Sequence, residues 1–404
     1  MNFRFLFIAI ALLTLSACGD SGSSAPPEIK EYVIKGDPDE FIAGATLDTT
    51  SPYNADNVQQ LSNYSLISLI EFAQKGAPDK YTSKEELQEK NSNKETDTAP
   101  ERKTYRLNIK PGPGTKFIGT VENLGAEFEF TPDNNGHLQL TQVKGDKQTM
   151  AVRTLHWSQT PDKSTISILF SYENADSGKG IAAIYFKADS VQKKIPLYDK
   201  VYQYLAGAGV GIAWNQEKTL TVKSCGANVN EAWAKIGVEA WSKALGNRLK
   251  LSYEKSTTYA PFSDLNQRCI YALNIYDKSP GNANLGTTPS ILDLNSGEII
   301  DSDVIIFNAA FKTLEQKYKD AGYQDLQVQS ALKKDESITY THELGHLLGL
   351  HHKFDGTQSI MSYDFNTTVL TNYDIKAIQT LYPRDEYSER TKVTSTGKPL
   401  NKKK

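Results

Sequence analysis

Short runs of alternating apolar and polar residues fill the stretch from residue 104 to residue 188. Tyr105–Ile109, Glu127–Phe130 and Thr165–Phe170 are three of these runs, and turn-forming sequences such as Asp133-Asn134-Asn135-Gly136 separate them. Strict alternation is typical of a strand that is buried on one face. The spacing therefore predicts an antiparallel, sandwich-like β-domain of about seven strands.

Apolar residues recur at helical spacing in four other segments. Residues 57–75 carry a broad apolar stripe, which predicts a short helix that ends at Gly76 and Pro78. Three longer helices and several strands are predicted in the second half of the chain, so that this half reads as an α+β domain. The helices are 230–246, about 330–348 and 370–382, and the strands are 219–222, 248–253 and 270–275.

The N-terminus has the pattern of an export signal. Arg4 precedes the apolar stretch Phe5–Leu15, which is too short for an ordinary membrane span, and Leu15-Ser16-Ala17-Cys18 follows it. This tetrapeptide resembles a bacterial lipobox, in which Cys18 is lipidated and becomes the first mature residue. A plain secretory signal or a buried helix is the alternative. Gly19 to Pro27 has the composition of a tether, and the glycine after the cysteine favours the outer membrane by resemblance to bacterial sorting rules.

Four of the six histidines lie in the stretch His-Glu-Leu-Gly-His-Leu-Leu-Gly-Leu-His-His. His342 and His346 are four positions apart, so on a helix both imidazoles lie on one face and can reach one metal ion. Glu343 follows the first histidine, where its carboxylate can reach a water on the metal. Gly349 tolerates the left-handed turn that returns His352 as a third ligand. Three histidines and one open position are typical of a catalytic zinc site.

This stretch has the pattern H-E-x-x-H-x-x-G-x-x-H, and Ser359-Ile360-Met361-Ser362-Tyr363 follows it as a Met-turn. Together they resemble the metzincin zinc metallopeptidases. The resemblance covers about residues 215–385 and is matrixin-like, because residues 370–382 are similar to the last matrixin helix. Lys353, where matrixins usually have Ser, and the turn residues Ser362-Tyr363 depart from the matrixin pattern and leave the subfamily open.

The resemblance implies a chemistry for these residues. One catalytic Zn²⁺ is held by His342, His346 and His352, and Glu343 activates the zinc-bound water as a general base. Met361 forms an apolar floor under the zinc, and the Tyr363 hydroxyl helps to hold the oxyanion or only packs. Residues 285–291 are interpreted as the edge strand beside the cleft, with a surface loop as the alternative. Structural Ca²⁺ is a possibility of the family that no motif here supports.

Two cysteines, Cys225 and Cys269, remain after Cys18. An exported compartment permits disulfides, and a bridge that closes a loop of about 45 residues stabilises by about 3–4 kcal/mol in the chain-entropy model. The alternative is a zinc-blocking latency thiol, because Lys223-Ser224-Cys225-Gly226 has a faint likeness to a switch motif.

The predicted fold class is α+β, with a metzincin-like catalytic domain (twisted mixed sheet, active-site helix, Met-turn and C-terminal helix) preceded by an all-β sandwich-like domain. The predicted division is a lipoprotein signal peptide over 1–18, a tether with one short helix over 19–103, a β-rich domain over 104–200, the zinc metallopeptidase domain over 201–386 and a disordered tail over 387–404.

The predicted function is zinc-dependent hydrolysis of peptide bonds in proteins or peptides outside the cytoplasm, by a monomer that is lipid-anchored in the bacterial cell envelope or at the cell surface. The formal net charge of −3 gives no reason to expect a nucleic-acid partner. One alternative is a surface lipoprotein that serves as a binding module, with a catalytically degenerate zincin domain. A further open question is whether residues 19–200 are a removable propeptide.

Overall fold

The computed structural model describes residues 60–74, 105–121, 126–132, 137–144, 148–174, 178–188, 193–216, 219–256, 260–274, 284–362 and 367–383. Two residues of the predicted chemistry, Cys18 and Tyr363, lie outside these ranges. No helix in the described ranges is long and apolar enough to cross a membrane.

The first half of the described chain is a closed barrel of eight antiparallel strands, in which each strand pairs with its sequence neighbours and the first pairs with the last. The structure therefore has a barrel in place of the predicted sandwich. The strands are β1 Tyr64–Gln74, β2 Tyr105–Pro111, β3 Phe117–Val121, β4 Ala126–Pro132, β5 His137–Lys144, β6 Gln148–Gln159, β7 Thr165–Asn174 and β8 Gly178–Ala188.

The strand that closes the barrel lies in the segment where the sequence predicted a helix. β1 pairs with β8 from Tyr64 to Gln74, and the register shifts between Leu66 and Ser68 and again between Glu71 and Ala73. Each shift inserts one extra residue into β1 as a β-bulge, which breaks the two-residue alternation of a strand. The helix prediction over 57–75 is wrong because two bulges give the apolar residues of β1 a spacing that imitates a helix.

Buried side chains on the inner faces of the strands fill the barrel, among them Phe128, Ile166 and Phe170, none of which exposes more than 1% of its surface. An eight-stranded barrel has an interior just wide enough for such side chains. The interior is therefore a packed core.

A five-stranded sheet with the order β12-β11-β13-β17-β14 forms the centre of the second half. Its first four strands run parallel, and the short edge strand β14 runs antiparallel to β17. The edge strand predicted over 285–291 is confirmed in part. Its first residues form the two-residue edge strand β14, whereas its last residues belong to β15, which pairs with β16 in a separate hairpin. The strands are β9 Gln203–Tyr204, β10 Gly207–Ala208, β11 Thr219–Ser224, β12 Lys250–Glu254, β13 Cys269–Leu273, β14 Gly286–Thr287, β15 Ser290–Asp293, β16 Glu298–Ser302 and β17 Val304–Phe307.

Four α-helices accompany this sheet in the described ranges, and three of them match the predicted ones: α1 Glu231–Leu245, α2 Asn308–Asp320, α3 Asp325–Leu347 and α4 Asn372–Leu381. Helices α1 and α3 lie so close together that a Cβ on Gly237 would come within 2.7 Å of the Leu344 side chain. Ile270 and Ala272 of β13 face the helices, whereas Tyr271 and Leu273 face the opposite side of the sheet.

The predicted disulfide is present. Cys225, just after β11, is bonded to Cys269 at the start of β13, and the two Cα atoms are 5.5 Å apart. Both cysteines are buried, with at most 2% of their surface exposed. Because Cys225 is bonded, it has no thiol with which to block a metal ion, and the latency alternative is contradicted.

Candidate metal centre

Helix α3 carries the first two histidines of the motif, and a sharp turn brings the third beside them. The helix ends at Leu347, and Gly349 adopts φ 103°, a conformation that side chains with a Cβ rarely adopt. A Cβ on Gly349 would also lie 3.0 Å from the Ile212 carbonyl oxygen. The glycine thus permits the reversal that returns His352 to the end of the helix, as the sequence predicts.

The Nε2 atoms of the three histidines converge on one point. They are 3.1 Å apart between His342 and His346, 2.9 Å between His346 and His352, and 3.0 Å between His352 and His342. A tetrahedral ion with Zn–N bonds of 2.0–2.1 Å separates its ligand atoms by about 3.3 Å. Among the described residues, these three form the one group of metal-capable side chains whose ligand atoms converge in this way.

The hydrogen bonds of two rings place the lone pairs toward this point. His342 Nδ1 lies 2.7 Å from the Ile360 carbonyl oxygen, and His346 Nδ1 lies 2.8 Å from the Leu350 carbonyl oxygen. A carbonyl only accepts, so each Nδ1 carries the proton and each neutral ring keeps its Nε2 lone pair for a ligand bond. Burial lowers the pKa of His342, and this outweighs the opposing effects of the Ile360 carbonyl and the Asp374 charge. The residues present therefore fit a metal that prefers imidazole nitrogen.

The Glu343 carboxylate lies beneath the edge strand of the sheet. Glu343 is buried, and the Thr288 hydroxyl donates to its Oε2 over 2.7 Å. A Cβ on Gly286, in β14, would lie 2.9 Å from Glu343 Cγ and 3.1 Å from its Oε1. Gly286 and Thr288 thus shape the space around the carboxylate. Both residues lie in the predicted edge strand over 285–291, but the sequence did not indicate their contact with Glu343, because Thr288 and Glu343 are 55 residues apart and no local pattern marks the contact.

The Met-turn packs under the active-site helix between its two histidines. Met361 is fully buried, and a Cβ on Gly345 would lie 2.4 Å from Met361 Sδ and 2.9 Å from Trp241 Cζ2. Any Cβ at this position would force Met361 or Trp241 to shift. The structure thereby explains why a glycine, which costs about 1 kcal/mol relative to alanine in a helix, stands at this position.

One buried carboxylate organises the Met-turn and was missed from the sequence. Asp374, at the start of α4, accepts hydrogen bonds from the Ser359 hydroxyl, the Ile360 N–H (3.0 Å), and the Thr371 N–H and hydroxyl (2.7 and 2.8 Å). The carbonyl oxygen of Ile360 in turn accepts a hydrogen bond from His342 Nδ1. Asp374 therefore connects the cap of α4 to the first histidine. The sequence showed it only as part of a matrixin-like last helix.

The loop that carries the third histidine is fixed to the segment before β11. The Lys353 side chain is buried, donates to the Val201 carbonyl over 3.0 Å and pairs with Asp355 over 2.7 Å. His351 donates its backbone N–H to the Gln203 carbonyl. The lysine that departs from the matrixin pattern is thus an anchor for the loop, and His351 stands outside the converging group.

Comparison with known proteins agrees with this geometry over part of the chain. No curated protein matches the sequence. Residues 302–383 match the family model of the matrixins, peptidase family M10. This segment is less than half of the chain and runs from the end of β16 to just beyond α4. The chain therefore contains a matrixin-like metallopeptidase segment, and all three converging histidines lie within it.

Proposed function

We propose that this protein is a zinc-dependent endopeptidase that hydrolyses peptide bonds of proteins or peptides. The convergence of the Nε2 atoms of His342, His346 and His352 within 3.1 Å of one another carries the proposal. The match of residues 302–383, which contain these histidines, to the matrixins also supports it.

In the proposed mechanism the three histidines would hold one zinc ion. When bound there, zinc supplies Lewis-acid chemistry: it makes a water more acidic and polarises a carbonyl. Glu343 accepts a proton from the attacking water and delivers it to the leaving amine. The Thr288 hydroxyl fixes the orientation of the Glu343 carboxylate. Burial of the carboxylate keeps bulk water from competing for it.

The same proposal extends to the surroundings of the reaction. The Tyr363 hydroxyl stabilises the oxyanion of the transition state. Cys18 carries the lipid anchor, which places the enzyme in the bacterial cell envelope, with the outer membrane favoured. Both assignments rest on the sequence motifs alone.

The buried Glu343 argues against a degenerate binding module. A carboxylate removed from water is costly unless hydrogen bonds compensate for the lost solvation. A scaffold without catalysis gains nothing from keeping it beside three histidines. We therefore prefer the enzyme over the binding module.

The experiment compares wild type with Glu343→Gln on a mixed peptide library, with zinc content measured in the same samples. Glutamine keeps the size of the side chain and its oxygen acceptor for Thr288, but it cannot take a proton. We expect one zinc per chain in both proteins and a loss of cleavage of about 100-fold or more in the variant. Glu315→Gln is the matched control, since Glu315 is a half-exposed surface residue on α2 that pairs with Lys319. Equal cleavage by wild type and Glu343→Gln would refute the proposed role.

A further inference from the structure

The last strand of the barrel is buried on both of its faces. Ala182, Ile184 and Phe186 point into the barrel core. Ile181, Ala183 and Tyr185 alternate with them, point outward, and are also buried, with at most 1% of their surface exposed. When an apolar outer face of a barrel is inaccessible to water, another part of the protein must cover it.

The covering layer is the back of the five-stranded sheet. Tyr271 of β13 and Ile305 and Phe307 of β17 share one buried cluster with the outward residues of β8. These three side chains point away from α3, because their neighbours along each strand pack on the helices. The order of layers is therefore barrel, sheet and helices, and the barrel docks on the face opposite the three histidines.

Polar contacts surround this apolar contact and fix its register. The Tyr185 hydroxyl donates to Asp301 Oδ2 over 2.9 Å. Lys187, with 8% of its surface exposed, pairs with Asp293 over 2.8 Å and donates to the Ser296 hydroxyl over 3.1 Å. A buried lysine paired in this way leaves uncompensated charge behind if its partner is withdrawn.

We propose that the barrel is a permanent half of the folded protein, retained as the backing layer of the catalytic sheet, and not a propeptide that is removed. Its removal would uncover the buried side chains of Tyr271, Ile305 and Phe307 together with the carboxylates that pair with the barrel. The described strands of the barrel dock on the back of the sheet, opposite the three histidines, so they do not have to leave for a substrate to reach the metal centre.

The contact also reaches toward the candidate site. The acceptors of Lys187 and Tyr185 lie in or between β15 and β16, and β15 begins two residues after Thr288. The base of this hairpin is closed by a 2.8 Å hydrogen bond between the Ser290 and Ser302 hydroxyls. The barrel therefore holds the hairpin, and the hairpin holds the residue that orients Glu343.

The test cuts the connection between the two halves in the full chain. A recognition sequence for a specific protease is inserted between Ala188 and Lys193, and the zinc-loaded protein is cleaved there and passed over a size-exclusion column in native buffer. We expect both fragments to elute together at the position of the uncut protein and to separate only in denaturant. Separation of the fragments in native buffer would overturn the proposal, whether or not either fragment is active.

A pair of lysine variants makes the test specific to this interface. Lys187→Met leaves Asp293 without its cation, so the cut variant is expected to dissociate at a lower denaturant concentration than cut wild type. Lys110→Met, at an exposed position on β2, is the matched control and is expected to behave as wild type. Equal dissociation of the two variants would contradict the role of Lys187. Peptidase activity of the cut complex is a further readout, and it depends on the proposed function being correct. The elution test does not depend on the proposed function, so the two can fail separately.

Discussion

The substitution Asp374→Asn probes the connection between the Met-turn and the first histidine. Asp374 is fully buried and accepts four hydrogen bonds, three of them at Oδ2 from Ile360 and Thr371. Asparagine has the same shape, but its amide can accept at one position only. We expect the asparagine oxygen to take the place of Oδ2, where it keeps the three donors from Ile360 and Thr371. Its NH₂ group then faces the Ser359 hydroxyl, which already accepts a hydrogen bond from the Met361 N–H.

The expected cost follows from the change in acceptor. A hydrogen bond to a charged group contributes about 1.5–3 kcal/mol and a neutral one about 0.5–1.5 kcal/mol, so each of the three retained bonds weakens by about 1 kcal/mol. The smaller desolvation cost of the neutral amide offsets part of this loss. We expect the free energy of unfolding to fall by about 2–3 kcal/mol. We also expect zinc affinity to fall by about 10-fold, because the Ile360 carbonyl that orients His342 is less firmly held.

Denaturant unfolding of the metal-depleted protein, followed by tryptophan fluorescence, measures the first effect. Three of the four tryptophans, at positions 214, 233 and 241, lie in the half of the chain that contains Asp374. Competition with a chromophoric chelator measures the second effect. Asp320→Asn, at an exposed position near the end of α2, is the control. If Asp374→Asn unfolds at the wild-type midpoint and binds zinc with wild-type affinity, then the carboxylate does not organise the site.

Substitutions at three further positions test separate contacts. Gly345→Ala is expected to destabilise the fold by about 1–3 kcal/mol despite its better helix propensity, because its Cβ would lie 2.4 Å from Met361 Sδ; a stability equal to wild type in a thermal melt would contradict this packing. Thr288→Val is expected to lower kcat by about 10-fold with little change in KM, and Thr288→Ser to restore it; equal kcat in all three proteins would show that the hydroxyl does not orient Glu343. Burial raises the pKa of Asp301 from 3.8 to about 6, so the folded form holds a proton that the unfolded chain has lost between about pH 4 and pH 6. Wild type should therefore lose stability relative to Asp301→Asn as the pH rises through this window, and a pH-independent difference in unfolding free energy would refute it.

The metal centre was predictable from the sequence because its determinants are local. The four-residue spacing of His342 and His346, the left-handed turn at Gly349 and the position of His352 all lie within one helix end. Helix periodicity alone brings two of the three ligands together. The disulfide was also predictable, because Cys225 and Cys269 form the one pairing left if Cys18 is lipidated, as the sequence predicts.

The contacts that orient these residues were not predictable, since they join distant segments. Thr288 reaches Glu343 through the pairing of an edge strand with a sheet, and Asp374 reaches Ile360 through the return of the last helix. Sequence periodicity describes which face of an element is buried but not which element covers it.

The barrel, too, was predictable in part. Alternation predicted its strands, but two bulges in β1 concealed the strand that closes it. The docking face did leave a signal: Ile181 to Phe186 is a continuous apolar run, which indicates a strand buried on both faces. Such a run does not identify its partner, which here lies in the second half of the chain.

Zinc titration of metal-depleted protein, with peptide cleavage measured at each step, tests the central claim most directly. We expect activity to rise in proportion to bound zinc and to level off at one zinc per chain, and we expect His352→Ala to lose both tight binding and cleavage. Tight binding of one zinc by wild type without cleavage of any peptide in a diverse library would contradict the account.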